Sequence, residues 1–447
     1  MQPQNLRLYP LVSGGADAYA ADNRTTAWST SMTQTGSPAA QENSPRPAAP
    51  AEGGRLMSLD ALRGFDMFWI VGAGSLVHAM GHKSAITTFL SNQLEHVEWA
   101  GFHFYDLIFP MFVFITGVSM MFSMDKALAK HGRPGAIVRL GRRCALLVLL
   151  GLFYYGGFSN PWPGIRLTGV LQTFGVACFL GGSIYILWPR NPRAMVGAFL
   201  ALVLGYWALM TFVPFPDLRL DKDSVAKLAA QVGSNDPAVL AKAVTARVHG
   251  VYEKGYNLAN YTDFRYLPGK KQYGDGYWEA QGLFQMVVAT SSCLLGILAG
   301  LWLRRRDTSD ELKTLGLFCA GAVSVALGFA WGLQFPVVKK LWSPSFVLVA
   351  GGYSAMLLAF FYYIVEMRKC QRWCMPFVWI GMNPITIYLT YSIFPKVAER
   401  LAGGDVQRCL DHYVLKGSGG LFLALVELAL VFLFVRFLYI RKVFIRL

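Results

Sequence analysis

About ten long apolar runs, each near the length that crosses a hydrocarbon core, alternate with polar loops between residues 64 and 440. They fall at 64–82, 105–124, 140–158, 167–188, 194–213, 282–303, 314–333, 345–366, 375–395 and 420–440. Such runs satisfy their backbone in lipid by coiling into helices. The expected fold is all-α: a polytopic membrane helix bundle of about ten transmembrane helices. One interruption, 214–281, is long enough to form a sizeable extramembrane insertion. Its first half, DSVAKLAAQVGSNDPAVLAKAVTARV, is Ala-rich with helical spacing. Its second half, NLANYTDFRYLPGKKQYGDGYWEAQG, gathers Asn, Asp, Tyr and Gly. Aromatic and amide groups together suit carbohydrate hydroxyls, but equally a polar loop that satisfies its own turns.

The loops alternate in charge. One set carries Lys126, Lys130, Arg133, Arg139, Arg142 and Arg143, then Arg190 and Arg193, then Arg304, Arg305, Arg306 and Lys313, then Arg368, Lys369 and Arg372. The other set carries Lys83, Arg166, Lys339, Lys340, Lys396, Arg400, Arg408 and Lys416. That is fifteen basic residues against eight, before Arg441, Lys442 and Arg446 of the last segment are added. The positive-inside rule then places both termini in the cytoplasm and turns the 82–104, 158–166 and 214–281 segments outward.

Composition agrees. The 447 residues are 54% hydrophobic and only 15% charged, against about 25% charged in soluble domains. The net charge of +15 belongs to membrane orientation, so a nucleic-acid partner is not expected. Residues 1–54, rich in Ala, Pro, Ser, Gly, Asn and Gln, read as a disordered N-terminal tail. No secretory signal is expected, since no apolar core with a small-residue cleavage sequence precedes Arg55. Seven cysteines, mostly in or beside apolar runs, argue against a disulfide framework.

Candidate chemistry gathers where the second run opens, in LEHVEWAGFHFYDLIFPMFVFITG. Glu95, His96, Glu98 and Asp106 stand there at the lip of a membrane helix, where ionisable groups are costly unless paired or wet. His96 titrates near neutrality, and a carboxylate such as Asp106 can fix its tautomer and stabilise its protonated form. Trp99 and Tyr105 can wall a pocket. Such an imidazole can take a proton from a nucleophile attacking a thioester, or carry the acyl group itself. A zinc site of His96, Glu98, His103 and Asp106 is the rival, but no compact metalloprotease motif is present and no metal is expected. Elsewhere, Asp60 and Arg63 are spaced to pair on one helix face. Gln172 lies inside an apolar run, and Asn383 stands beside a helix-breaking Pro384.

RLMSLDALRGFDMFW, HVEWAGFHFYDLIFPMFVFITG, GVLQTFGVACF, YLPGKKQYGDGYWEAQGL, FPVVKKLWSPSFVL and GMNPITIYL together resemble the heparan-α-glucosaminide N-acetyltransferase family and its bacterial relatives, over residues 55 to about 440. The resemblance implies a transmembrane acyltransferase domain over 55–447, with acetyl-CoA as co-substrate and an amino sugar or related glycan as acceptor. It implies a catalytic His96 followed by Trp99 and Asp106. Arg139, Arg142 and Arg143 are candidates for the CoA phosphates, with Gln172 and Asn383 also on the donor side. Glu98, Trp99, Asn257, Asp263 and Gln281 are candidates for the acceptor. The sequence departs from the family in two places. Gly74 stands where the lysosomal members have an asparagine. Glu279-Ala280-Gln281-Gly282-Leu283 stands where bacterial relatives often read D-P-E-G-L. The expected setting is the bacterial inner membrane, with lipid and a small sugar or glycan as partners; a homodimer is left open. A transporter of amino sugars or small glycans is the alternative, and paired broken helices would favour it. The sequence offers one broken helix, at Asn383-Pro384, and no partner in the first half.

Overall fold

The computed structural model describes residues 56–80, 84–402, 404–413 and 418–443. The expected tail at 1–54, and Lys83, Lys416 and Arg446 among the basic residues counted above, lie outside the described residues. Glycine and proline set where the apolar runs bend. The first run forms α1 (Met57–Phe68), a π-helical turn (Trp69–Ala73) and α2 (Gly74–Met80). Gly72, at φ 157°, interrupts it with a backbone conformation that favours glycine. A short α3 (Ala85–Gln93) follows.

The next helix, α4 (Phe104–Tyr154), has 51 residues. At 1.5 Å per residue it runs about 76 Å, well over twice a bilayer core of about 30 Å. Gly132 breaks it at φ 65° and ψ −177°, and Pro134 opens the returning half. α4 thus covers two expected runs, 105–124 and 140–158. The bundle continues with α5 (Val170–Leu187), α6 (Pro192–Phe212), α10 (Leu283–Val288) running into α11 (Thr290–Leu303), α12 (Asp310–Trp331) and α13 (Pro344–Phe361). It closes with α14 (Met375–Met382), α15 (Pro384–Thr390), α16 (Phe394–Ala402), α17 (Asp405–Tyr413) and α18 (Ser418–Ile440). Among the described residues seven helices are long and apolar enough to cross a membrane, or eight counting the bent segment through α14 to α16. That segment turns by 69° at Asn383, as the following proline requires.

Helices meet backbone to backbone where glycines face each other. A Cβ on Gly64 of α1 would overlap the Phe377 carbonyl, and one on Gly381 of α14 would overlap the Asp60 carbonyl. Gly117 of α4 and Gly296 of α11 abut in the same reciprocal way, against Cys293 and Phe114. In lipid such close approach replaces the hydrophobic drive as the source of association.

Residues 214–281 fold over one mouth of the bundle. Two short antiparallel pairs, β1 (Phe215–Pro216) with β2 (Arg247–Val248) and β3 (Tyr252–Glu253) with β4 (Tyr256–Asn257), frame α7 (Lys222–Val232), α8 (Pro237–Ala243) and α9 (Leu258–Tyr266). Leu218, Leu220, Val225, Leu240, Phe264 and Trp278 form their own small core. The loops sort onto two faces. On one, Gly101 N–H donates to Val337, Lys270 N–H to Ile165, and Arg166 pairs with Glu279. On the other, Asp125 accepts from Tyr185, Arg190 and Arg304.

Candidate active site

His103 is the N-cap of α4, and Asp106 stands at the third helical position. The Asp106 Oδ2 accepts the His103 N–H at 3.2 Å and the Val97 N–H at 3.3 Å. Carboxylates favour this place, where helix N–H groups lack partners. The second oxygen, Oδ1, lies 2.8 Å from the His96 Nδ1. This local turn is what brings residues ten apart in sequence into contact. The Tyr105 ring lies 4.7 Å from the imidazole.

A third charge arrives from far along the chain. The 3-10 turn Lys339–Leu341 lowers the Lys339 Nζ to 3.2 Å from His96 Nδ1 and 3.4 Å from Asp106 Oδ1. The turn is firmly held: Tyr206 O–H donates to the Leu341 carbonyl at 2.8 Å, and Ser343 Oγ accepts the Val338 N–H at 3.0 Å. Trp342 follows in the left-handed region at φ 51°, a strain that buried neighbours must hold in place.

Electrostatics follow from this packing. Burial lowers the His96 pKa; the Asp106 hydrogen bond opposes that and the Lys339 cation reinforces it. Burial also brings Lys339 down to about 8, against the pull of Asp106. The imidazole is therefore mostly neutral near pH 7. A carboxylate at Nδ1 selects the tautomer with its proton there, leaving Nε2 basic. Nε2 has no partner among the described residues, and the side chain keeps 49% of its surface open.

The other sequence candidates are spread more widely. Trp99 donates its indole N–H to the Tyr252 carbonyl at 2.8 Å and meets Trp278 edge-on, tying the histidine loop to the insertion. Glu98 is exposed and pairs with Lys254 at 2.8 Å, while His103 Nδ1 lies 3.0 Å from the Glu95 carbonyl. Those two therefore do not converge with His96 and Asp106 on a common point, and among the described residues no group of three or more His, Cys, Asp or Glu could hold a metal. Asn257 is buried, and both ends of its amide bond within the insertion, to Glu253 and Asn260. Asp263 is buried beside Asn260, Glu279, Gln285 and Lys340; it accepts the Leu283 N–H at 3.0 Å, and burial raises its pKa to about 7. Gln281 and Glu279 share Arg166: the guanidinium is bidentate to Glu279 at 2.8 and 3.1 Å and reaches Gln281 at 3.0 Å. The amide that replaces an expected carboxylate thus still serves as an acceptor.

On the proposed donor side the residues do not gather. Gln172 is buried against Gly151 and Gly169 with neither amide atom bonded. Asn383 is buried at the α14–α15 break and donates to the Val443 carbonyl at 3.0 Å. Arg139, Arg142 and Arg143 are exposed on the returning half of α4, beyond a corner about 40 Å of helix away from Asp106. One residue against His96, Lys339, is not marked out by the sequence. Lys339 reads only as a loop charge, although it lies in the quoted motif FPVVKKLWSPSFVL. Asp66 reads only as part of the opening of the first run; it is fully buried, with no hydrogen-bond partner on either oxygen among the described residues.

Apolar helices of membrane length, closed over a charged cluster at one mouth, define an integral, multi-pass membrane protein. No family model matches the sequence. Curated relatives do. The chain is 25% identical over 384 residues to the heparan-alpha-glucosaminide N-acetyltransferase of Homo sapiens, covering 76% of this chain and 53% of that protein. It is 23% identical over 338 residues to the Mus musculus enzyme of the same name, covering 67% and 49%. The chain is thus a distant relative of these acetyltransferases, and it spans about half their length.

Proposed function

We propose that this protein is a transmembrane acetyltransferase that moves an acetyl group from acetyl-CoA to an amino sugar or related glycan at the outer face of a membrane, the bacterial inner membrane being the expected one. The observation that carries the reading is the His96–Asp106 pair, with Nε2 free and Lys339 against Nδ1. The neutral imidazole takes a proton from the acceptor nitrogen as it attacks the thioester carbonyl. The N–C bond forms, the C–S bond breaks, and the protonated imidazole returns the proton to the leaving sulfur. Asp106 holds the tautomer and offsets the imidazolium charge. Alternatively Nε2 takes the acetyl first and passes it on. Asp263 and Gln281 of the insertion, with Arg166 of the loop before α5, are the proposed acceptor side.

A transporter of amino sugars or small glycans is the second reading, and one observation favours it. Contrary to the sequence expectation, the first half does contain a broken helix, at Trp69–Ala73, and it packs beside the broken α14–α15 segment. Purified protein given labelled acetyl-CoA and glucosamine distinguishes the two. Acetylated sugar is expected from the wild type, with a loss of about 100-fold or more in His96→Ala, at unchanged elution in detergent. Full activity in His96→Ala removes the assignment. Uptake into vesicles without acetyl-CoA, and no acetylated product, establishes the transporter.

A further inference from the structure

Lys339 is tied less firmly than two other lysines beside the histidine loop. The Lys340 Nζ donates to the Glu98 carbonyl at 2.7 Å and stands over the Tyr273 ring, and the Lys254 Nζ donates to the Glu98 carboxylate at 2.8 Å. The Lys339 Nζ instead lies 3.2 Å from the His96 Nδ1. That nitrogen carries the proton it donates to Asp106 and has no lone pair to offer, so two donors face each other. What remains for the lysine is the Asp106 Oδ1 at 3.4 Å and the Tyr105 carbonyl at 3.5 Å. Both are long, since charge-assisted bonds run about 2.7–2.9 Å. The backbone beneath is fixed, with the Gln285 Nε2 donating to the Lys339 carbonyl at 3.2 Å. The flexible four-carbon stem above it is not, and the Nε2 side of the imidazole is a short swing away. The side chain keeps 21% of its surface open. Burial brings its pKa down to about 8, so part of it is a neutral amine near pH 7. A desolvated amine beside a general base is a nucleophile.

We propose that Lys339 is a self-modification site: when no acceptor is bound, its Nζ takes the acetyl group from acetyl-CoA with His96 as base. This rests on the acetyltransferase reading. The step starts from the neutral amine, whose third proton has gone to water. The nitrogen attacks the thioester carbonyl, the N–C bond forms and the C–S bond breaks. His96 takes one proton from that nitrogen and returns it to the leaving sulfur, and the other stays on the amide. The product is a stable amide that cannot pass its acetyl on. It also removes the cation beside His96, so the site loses a charge whenever donor outlasts acceptor.

The test incubates purified wild type with isotope-labelled acetyl-CoA and no acceptor, at a pH of about 8 where half of Lys339 is neutral, and reads each lysine by peptide mass spectrometry. Expected is label on Lys339 at about tenfold or more over Lys340 and Lys254, falling about 100-fold or more in His96→Ala. Excess glucosamine should slow the labelling, because both amines draw on one acetyl group. Glucosamine acetylated while Lys339 stays unlabelled overturns the proposal and leaves the acetyltransferase reading standing. Label spread evenly over the lysines, or undiminished in His96→Ala, also overturns it, because acetyl-CoA then reacts without the site. If His96→Ala does not fold, the wild type decides: labelling of Lys339 that excess glucosamine leaves unchanged overturns it. If neither glucosamine nor Lys339 is acetylated, the acetyltransferase reading fails and the proposal falls with it.

Discussion

At the scale of single residues, the site is a contest between burial and charge. His96 has a carboxylate and an ammonium at the same nitrogen, and burial together with the ammonium keeps it neutral. Removing the Lys339 cation should raise the imidazole pKa. Lys339→Met is therefore expected to move the acid limb of kcat/KM to higher pH, read from a pH–rate profile; an unmoved limb would mean the two groups are not coupled. Stability gives an independent check. The folded-state pKa of Lys339, about 8, is below its ordinary 10.5. The fold thus disfavours the charged lysine, and that penalty is fully present below about pH 8. It is relieved as pH rises from about 8 toward 10.5, because the unfolded chain then binds more protons. The thermal midpoint of the wild type should gain over that window relative to Lys339→Met.

Elements meet where glycines let them. α1 reaches α14 only because Gly64 and Gly381 lack side chains, and α4 reaches α11 through Gly117 and Gly296. The obstructing atoms are backbone carbonyls, which cannot swing aside. Gly64→Ala and Gly296→Ala should each destabilise the bundle by about 1–3 kcal/mol or more, seen as a lower melting midpoint in detergent. Gly197 and Gly205 of α6 have nothing within 4 Å of the point where an alanine methyl would sit, so alanine there should be neutral or stabilising by about 0.5–1 kcal/mol. Similar midpoints for both sets would show that the glycine contacts do not hold the helices.

Across the whole molecule, loops sort onto two faces, and the charge bias of the sequence assigns them to opposite sides of the membrane. Cys370 and Cys409 are both free and exposed, and that bias puts the first inside and the second outside. An impermeant maleimide applied to sealed right-side-out vesicles should label Cys409 and spare Cys370 until the membrane is opened. Labelling of Cys370 alone would invert the orientation and put His96 on the cytoplasmic face.

Hydrophobic runs are legible in a sequence because lipid demands them, and the loops, the large insertion and the Asn383-Pro384 break are legible in the same way. So is the closeness of His96 and Asp106, because a helix N-terminus gathers a carboxylate and its preceding loop within ten residues. The corner at Gly132 and the break at Gly72 are not, since a glycine in an apolar run reads equally well as continuous helix. The same holds for the uses of Asn257 and Gln281, whose amides are occupied within the fold by partners that their residue type does not announce. Lys339 is 243 residues from His96, and no local pattern encodes a contact at that separation. By itself the sequence determined a helical membrane bundle with an ionisable cluster at one mouth, because bilayer thickness and helix capping are local constraints. Only the tertiary structure decided that a lysine from a distant turn completes that cluster, because helix packing alone sets which distant charges share one low-dielectric space.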